Sequence, residues 1–263
     1  MKKILACVVV ALFSAMSLFA KERKIAVQTY TCFTYTLEEV CTMLKALNVD
    51  KIELCEGHRI GGKYPNVRCN RKMKPEHLQY VKDMFKQHNI KVISSGVYYV
   101  KSEQDIVDIC KFVKEFGVEF VSTESSPEMI ALWRKHLGDM KLTIHNHHKP
   151  PYVDFNYVAK IIAPYDNVGA CPDNGGWTRA GTDSVEGLKV LNGKIFTIHL
   201  KDQEKLGDPK SNAKIYGTGC INLKGMLAEL DKQGFDGYFI IEHGNYDDKF
   251  QVIKRDVDFL KNN

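Results

Sequence analysis

The 263 residues carry 37 Lys and Arg against 32 Asp and Glu, a formal charge of +5. So mild an excess, with no Lys/Arg stripe, argues against a nucleic-acid partner. The length suits one domain, since α/β barrels commonly run to about 250 residues.

Residues 1–20, MKKILACVVVALFSAMSLFA, place a lysine pair before an apolar run that ends on Ala20 and the charged KERK. This is the pattern of a cleaved signal peptide, and it predicts an exported, periplasmic protein. A membrane anchor is the competing reading, but the run from Ile4 to Ala20 is short for a span and more positive charge follows it at once. Cys7 precedes most of the apolar run, so a lipoprotein signal does not fit. Removing residues 1–20 takes away Lys2 and Lys3 and lowers the formal charge from +5 to +3. No later segment is apolar enough to span a membrane, so no stable membrane insertion is expected after cleavage.

From residue 21 to 263 one rhythm repeats. Strand candidates fall at 24–30, 51–57, 91–97, 119–125, 141–147, 167–173, 194–200 and 237–243. Amphipathic helical stretches at 37–49, 75–89, 102–117, 127–138, 153–165, 184–193, 221–234 and 248–261 follow them in turn. Ile106, Ile109, Phe112 and Val113 show the helical spacing, and several stretches open on Ser, Asp or Pro and close on Gly. Eight strands alternating with eight helices predict a single-domain (β/α)8 TIM barrel. An open doubly wound sheet fits the count less well, and no GxGxxG follows the first strand. The long loops 57–74 and 202–219 both follow strands, on the face where barrel sites are built. Seven cysteines remain after Cys7. Their number is odd, they are widely spaced and form no CxxC, which fits small buried apolar residues rather than a disulfide or thiolate-zinc framework.

Strand alternation sorts lumen from helix-facing positions. Leu142 and Ile144 face the helices, so Thr143, His145 and His147 point inward. By the same parity Val168 and Ala170 face out and Asp173 in. Phe196, Ile198 and Leu200 face out, while Thr197, His199 and Lys201 face in. Phe239 and Ile241 face out, while Tyr238, Ile240 and Glu242 face in. Four successive strand ends thus deliver His145, Asp173, His199 and Glu242 to the lumen. Each would be costly to bury alone. Together they make a competent set for one divalent metal ion, Mn2+, Zn2+, Co2+ or Mg2+. The blander readings are a hydrogen-bonded core histidine at each strand end and a turn residue at Asp173 in PDNGG. Glu242, after a run of apolar residues, is harder to explain structurally. His243 points to the helices and His148 opens a loop. His58, His77, His88 and His136 read as solvated.

HNH (145–147), CPDNGG (171–176), HLKD (199–202), GTGCINL (217–223) and IIEHG (240–244) resemble the xylose isomerase-like TIM barrels, the sugar phosphate isomerase/epimerase superfamily. The resemblance covers the mature chain. It implies metal ligation by Asp173, His199 and Glu242. It departs from the family pattern at His145, which stands where a glutamate is usual, and Glu124 is a rival fourth ligand. The family's epimerases exchange a proton between two metal-bound glutamates, and only Glu242 is retained here.

The resulting expectation is a divalent-metal-dependent isomerase or epimerase. It would abstract the proton alpha to a carbonyl through an enediolate, with Glu242 or His147 as base and Lys201 beside the developing charge. Lys201 could equally form a strand-end salt bridge with Asp173 or Glu242. Glu53, Glu124 and Trp177 are candidate sugar-binding residues, with Tyr98 a further stacking candidate; a structural ion pair with a neighbouring Lys or Arg is the equal alternative for Glu53, and simple packing for Trp177 and Tyr98. Export points to an unphosphorylated sugar or keto-sugar as the small-molecule partner. A keto-glycoside lyase or hydratase sharing the first step is the alternative. A non-catalytic carbohydrate-binding relative and an abasic-site endonuclease are the remaining readings. Nothing in the sequence fixes the oligomeric state.

Overall fold

The computed structural model describes residues 22–244 and 246–263, so the expected signal peptide at 1–20 lies outside the described residues. Eight strands form the barrel wall: β1 Lys24–Gln28, β2 Lys51–Leu54, β3 Lys91–Tyr98, β4 Phe120–Thr123, β5 Lys141–His145, β6 Val168–Cys171, β7 Thr197–Leu200 and β8 Tyr238–Ile241. Each pairs in parallel with its sequence neighbour from β1 to β6, and β7 pairs with β8, which pairs with β1. Parallel bridges Ala170–Ile195 and Asp173–His199 join β6 to β7 and close the ring. The chain folds as a single (β/α)8 TIM barrel.

The helices are α1 Leu37–Ala46, α2 Pro75–Gln87, α3 Glu103–Lys114, α4 Pro127–His136, α5 Phe155–Ile162, a short α6 Asn174–Arg179, α7 Ser184–Val190, α8 Leu223–Lys232 and α9 Lys249–Asn262. Local chemistry starts them where the sequence indicates. Thr36 with Glu39, and Ser102 with Asp105, form capping boxes, and Ser126 caps α4 ahead of Pro127. Helix α6 is additional to the expected eight. It begins because the Asp173 carboxylate accepts hydrogen bonds from the Gly175 and Gly176 amides. Loop 57–74 contains an antiparallel hairpin, His58–Gly61 with Tyr64–Cys69. None of the described helices is long and apolar enough to cross a membrane.

Val168, Ala170, Leu142, Ile144, Phe239 and Ile241 join the layer between wall and helices, as parity requires. Ala26, Ile93, Phe120, Tyr238 and Ile240 form a separate inner plug. Phe196 corrects the expectation: it packs into this plug rather than facing the helices. Regular pairing of β7 begins only at Thr197, so alternation does not reach position 196. Gly169 supplies the room, since a Cβ there would lie 2.6 Å from the Phe196 ring. The plug fills the lower lumen and leaves polar chemistry to the C-terminal face.

Five of the seven described cysteines are buried, Cys55 is half-buried and Cys220 is exposed; all are free. His243 lies on the helix side, where its ring pairs with Asp256 of α9. His58 is buried rather than solvated, with Nε2 2.9 Å from the Thr29 carbonyl.

Candidate active site

The four inward groups read from the sequence meet at the mouth of the lumen. His145, Asp173 and His199 are almost wholly buried, and the Glu242 side chain keeps 13% exposure. The His199 ring lies 2.8 Å from Glu53 Oε1 through Nε2 and 2.9 Å from Glu242 Oε2 through Nδ1. Neither contact is aligned as a hydrogen bond. The Lys201 ammonium donates to Asp173 Oδ2 at 2.8 Å and pairs with Glu242 Oε1 at 2.9 Å.

These contacts set the charges. Burial pushes Glu242 and Asp173 up, but Lys201 together with the His199 and His145 imidazoles outweighs it in both, and Glu242 is held well below the usual carboxylate range. Burial disfavours the Lys201 ammonium, and the two carboxylates more than restore it. Burial likewise pushes His199 down, while Cys171, Glu53 and Glu242 hold it well above its ordinary value. His145 is lowered, chiefly by burial.

Glu124, just beyond β4, occupies the rim. Its Oε1 accepts from the His147 amide at 2.6 Å and lies 2.6 Å from His147 Nδ1 and 3.3 Å from His145 Nδ1. Burial pushes this carboxyl up, but the two imidazoles overcome that and bring it to about 2. An ionised carboxylate only accepts hydrogen bonds, so it selects the Nδ1–H tautomer in both rings. His147 is therefore raised by its bond to Glu124 and presents Nε2 outward from a half-exposed ring. His145 keeps a buried Nε2 with no hydrogen-bond partner, 3.6 Å from Asp173 Oδ2.

That orphaned nitrogen bears on whether the residues suit a metal. His145, His199 and Glu242 offer ligand atoms within 4.8 Å of one another, as do Glu124, His145 and His147. Carboxylates sit behind both buried imidazoles, Glu124 at His145 Nδ1 and Glu53 at His199 Nε2, the usual support of a metal-bound histidine. Two imidazoles and a carboxylate suit a divalent transition ion. Asp173 lies beside this set with one oxygen capping α6 and the other on Lys201.

Glu53, Trp177 and Tyr98 take structural roles instead of the sugar-binding ones. Glu53 is fully buried, and its carboxylate accepts from Gln28 Nε2 at 2.7 Å and Ser94 Oγ at 2.6 Å, beneath His199 and out of a substrate's reach. Trp177 is 1% exposed and packs edge-on against Phe155. Tyr98 is buried with its hydroxyl on Ser95. Its neighbour Tyr99 is the exposed aromatic at 64%, with its hydroxyl 3.1 Å from His147 Nδ1. Two further residues escaped sequence reading. Asn146 donates to the Asp173 carbonyl and accepts from its amide, and Asn174 does the same to Lys201, so two side-chain amides tie adjacent strand ends together. The polar HNH and PDN runs are their only trace in the sequence.

The family model of xylose isomerase-like TIM barrels matches residues 34–263. The chain belongs to that family. Among solved members of this fold, an uncharacterised protein from Parabacteroides distasonis is 26% identical with a TM-score of 0.74, pairing 91% of this chain with 98% of its own. The probable 3-DHS dehydratase of petrobactin synthesis from Bacillus anthracis is 12% identical, with a TM-score of 0.71 over 90% of this chain and 98% of that one. D-allulose 3-epimerase from Methylomonas sp. is 9% identical, with a TM-score of 0.70 over 93% and 99%. The last two likenesses establish the fold alone. No curated protein matches the chain.

Proposed function

We propose that this xylose isomerase-like barrel is a divalent-metal-dependent isomerase or epimerase of an unphosphorylated sugar or keto-sugar, working by proton transfer alpha to a carbonyl. The observation that carries the reading is that two clusters of ionisable groups share His145: Glu242 and His199 meet it in one, Glu124 and His147 in the other. The carboxylate Glu242 is paired with Lys201, and His147 with Glu124. A divalent ion held by His145, His199 and Glu242, with Asp173 adjacent, would polarise the substrate carbonyl. Glu242 is ionised at neutral pH and takes the C–H proton. The Lys201 ammonium stabilises negative charge developing on the substrate oxygen. His147, raised and half-exposed, returns a proton at the neighbouring carbon or the opposite face. Glu124 fixes the tautomer that leaves His147 Nε2 free for this exchange.

The loop after β7 supports an unphosphorylated substrate. Barrel enzymes often bind phosphate on backbone amides after strands seven and eight. Here the buried Asp202 carboxylate already accepts from the Gly217, Gly219 and Ile221 amides at 3.0, 2.8 and 3.2 Å. A carboxylate fills that position, and a phosphate would meet its charge. Export, read from residues 1–20, fits the same substrate class.

The inequality of the two groups favours one second reading. A carboxylate base facing an imidazole that readily carries a proton also suits dehydration or lyase chemistry, with His147 protonating the departing oxygen.

Solvent exchange tests the proposal. Unphosphorylated aldoses, ketoses and keto-glycosides incubated with protein in D2O should gain deuterium next to the carbonyl, seen by NMR. Glu242→Gln should abolish the exchange. Exchange at the wild-type rate in Glu242→Gln, or no divalent metal in the purified protein and no gain in Tm with Mn2+, Co2+ or Zn2+, overturns the reading.

A further inference from the structure

A cavity of about 1060 Å3 opens beside the barrel mouth, between the chain that follows β2 and helix α3. Tyr99 joins it to the candidate site, because its ring lines the cavity while its hydroxyl reaches His147 Nδ1 at 3.1 Å. From Tyr99 the cavity follows α3. Asp105, Asp108, Phe112 and the C-cap Glu115 line it at spacings of three, four and three residues, one face of the helix. Ten residues of helix make this wall about 15 Å long. It is a groove rather than a pit, and its volume reaches the top of the roughly 300–1,000 Å3 range of small-molecule sites.

The lining chemistry narrows the occupant. Arg71 and Lys111 share the groove with Asp105, Asp108 and Glu115, so neither an anion nor a cation meets a wall of one opposite sign. Met73, Leu78 and Phe112 add apolar surface among these charges. A pyranose ring has the matching character, with hydroxyls that both donate and accept along its edge and C–H faces that pack on apolar side chains. The exposed Tyr99 ring, at the junction, offers a stacking surface for a ring passing from one compartment to the other.

We propose that this groove binds further sugar rings of the substrate, making the preferred substrate a neutral glycoside or oligosaccharide whose reacting ring occupies the barrel mouth. The inference rests on the reading of that mouth as a sugar-transforming site, and it concerns residues outside the proton-transfer machinery.

The experiment is calorimetry and saturation-transfer NMR on the full chain, with methyl β-D-glucoside against cello- and malto-oligosaccharides of two to four rings. Affinity should rise at least tenfold from one ring to two or three in one of the series. Lys111→Ala and Asp108→Ala, both at exposed positions of α3, should remove most of that gain and leave one-ring binding unchanged. Affinity independent of ring number, absence of binding by every sugar, or a chain-length gain that survives both substitutions overturns the inference. The two proposals fail separately. Deuterium exchange into a one-ring sugar without any chain-length effect sinks the groove alone. Longer sugars that bind through Lys111 and Asp108 while no sugar exchanges sink the proton-transfer reading alone.

Discussion

Replacing Lys201 with methionine probes the charge balance of the site directly. The ammonium is 2.8 Å from Asp173 Oδ2 and 2.9 Å from Glu242 Oε1, and its side chain is 13% exposed. At an effective dielectric near 20, each contact represents about 6 kcal/mol of Coulomb attraction before desolvation, which offsets much of it. Removing one partner of a buried pair leaves the others uncompensated, and this typically costs about 3–5 kcal/mol. For a chain of this size each kcal/mol moves Tm by roughly 2–4 °C, so Lys201→Met should melt roughly 6–20 °C below wild type at pH 7. The pH dependence follows from Glu242 and Asp173, both held below their ordinary values with Lys201 as the main lowering influence. A lowered folded-state value contributes stability that is present above the unfolded value and is lost as pH falls through the folded one. Wild type has the Lys201 share of this contribution and the variant lacks it. The Tm gap is therefore full at neutral pH and closes as the pH drops below about 4.5, near the unfolded carboxyl values. Thermal melts from pH 3 to 8 measure it. Divalent cations provide a second readout. The ammonium competes for the carboxylates that face the proposed metal site, so Zn2+ or Mn2+ should bind Lys201→Met more tightly than wild type and recover part of its Tm. An unchanged Tm, a pH-independent gap, or weaker metal binding by the variant refutes this account.

Three other perturbations isolate single contacts. Glu124→Gln removes the acceptor that raises His147, so the His147 imidazole should titrate at lower pH than in wild type, as followed by NMR; an unchanged or higher midpoint means that Glu124 does not set its charge. Glu53→Gln withdraws the carboxylate behind His199, and metal affinity measured by calorimetry should fall by about 10–100-fold, the usual effect of losing such support; undiminished affinity removes His199 from the donor set. Asp202→Ala strips the acceptor from three loop amides and should cost about 2–4 kcal/mol of stability. Hydrogen exchange at Gly217, Gly219 and Ile221 should accelerate in that variant, and protection equal to wild type would show that the loop holds itself.

The barrel was legible because it depends on two periodicities and on caps, all of which are local. Strand parity also brought His145, Asp173, His199 and Glu242 to one place, since each lies on or just beyond a regular strand. It failed where regular pairing ends. Phe196 precedes the paired part of β7. Parity says nothing about burial, and that of Glu53 depends on Gln28, Ser94 and His199, three residues far apart in sequence. Trp177 looked accessible because α6 was not foreseen; once Asp173 caps that helix, the indole turns into the core.

Glu124, read from the sequence as a rival ligand, shows most clearly that strand-by-strand reading misses contacts between strands. The sequence presented His145 as a lost glutamate on the fifth strand. The structure places a glutamate from the end of the fourth strand against that same histidine, at 3.3 Å, and against His147 at 2.6 Å. The negative charge missing at position 145 is thus supplied one strand away, in a form that only accepts hydrogen bonds. Two properties follow together. His145 is held with its inner nitrogen free, and His147 gains a partner that raises its proton affinity. In the proposed function, a position that looks like the loss of one base is coupled to a second proton-carrying group at the rim. For that reason Glu124→Gln and Glu242→Gln should impair different halves of the proposed proton transfer. Loss of Glu242 should stop deuterium uptake. Loss of Glu124 should leave uptake largely intact and slow the conversion of exchanged substrate to product. Equal loss of both rates in the two variants would mean that one group performs the whole transfer.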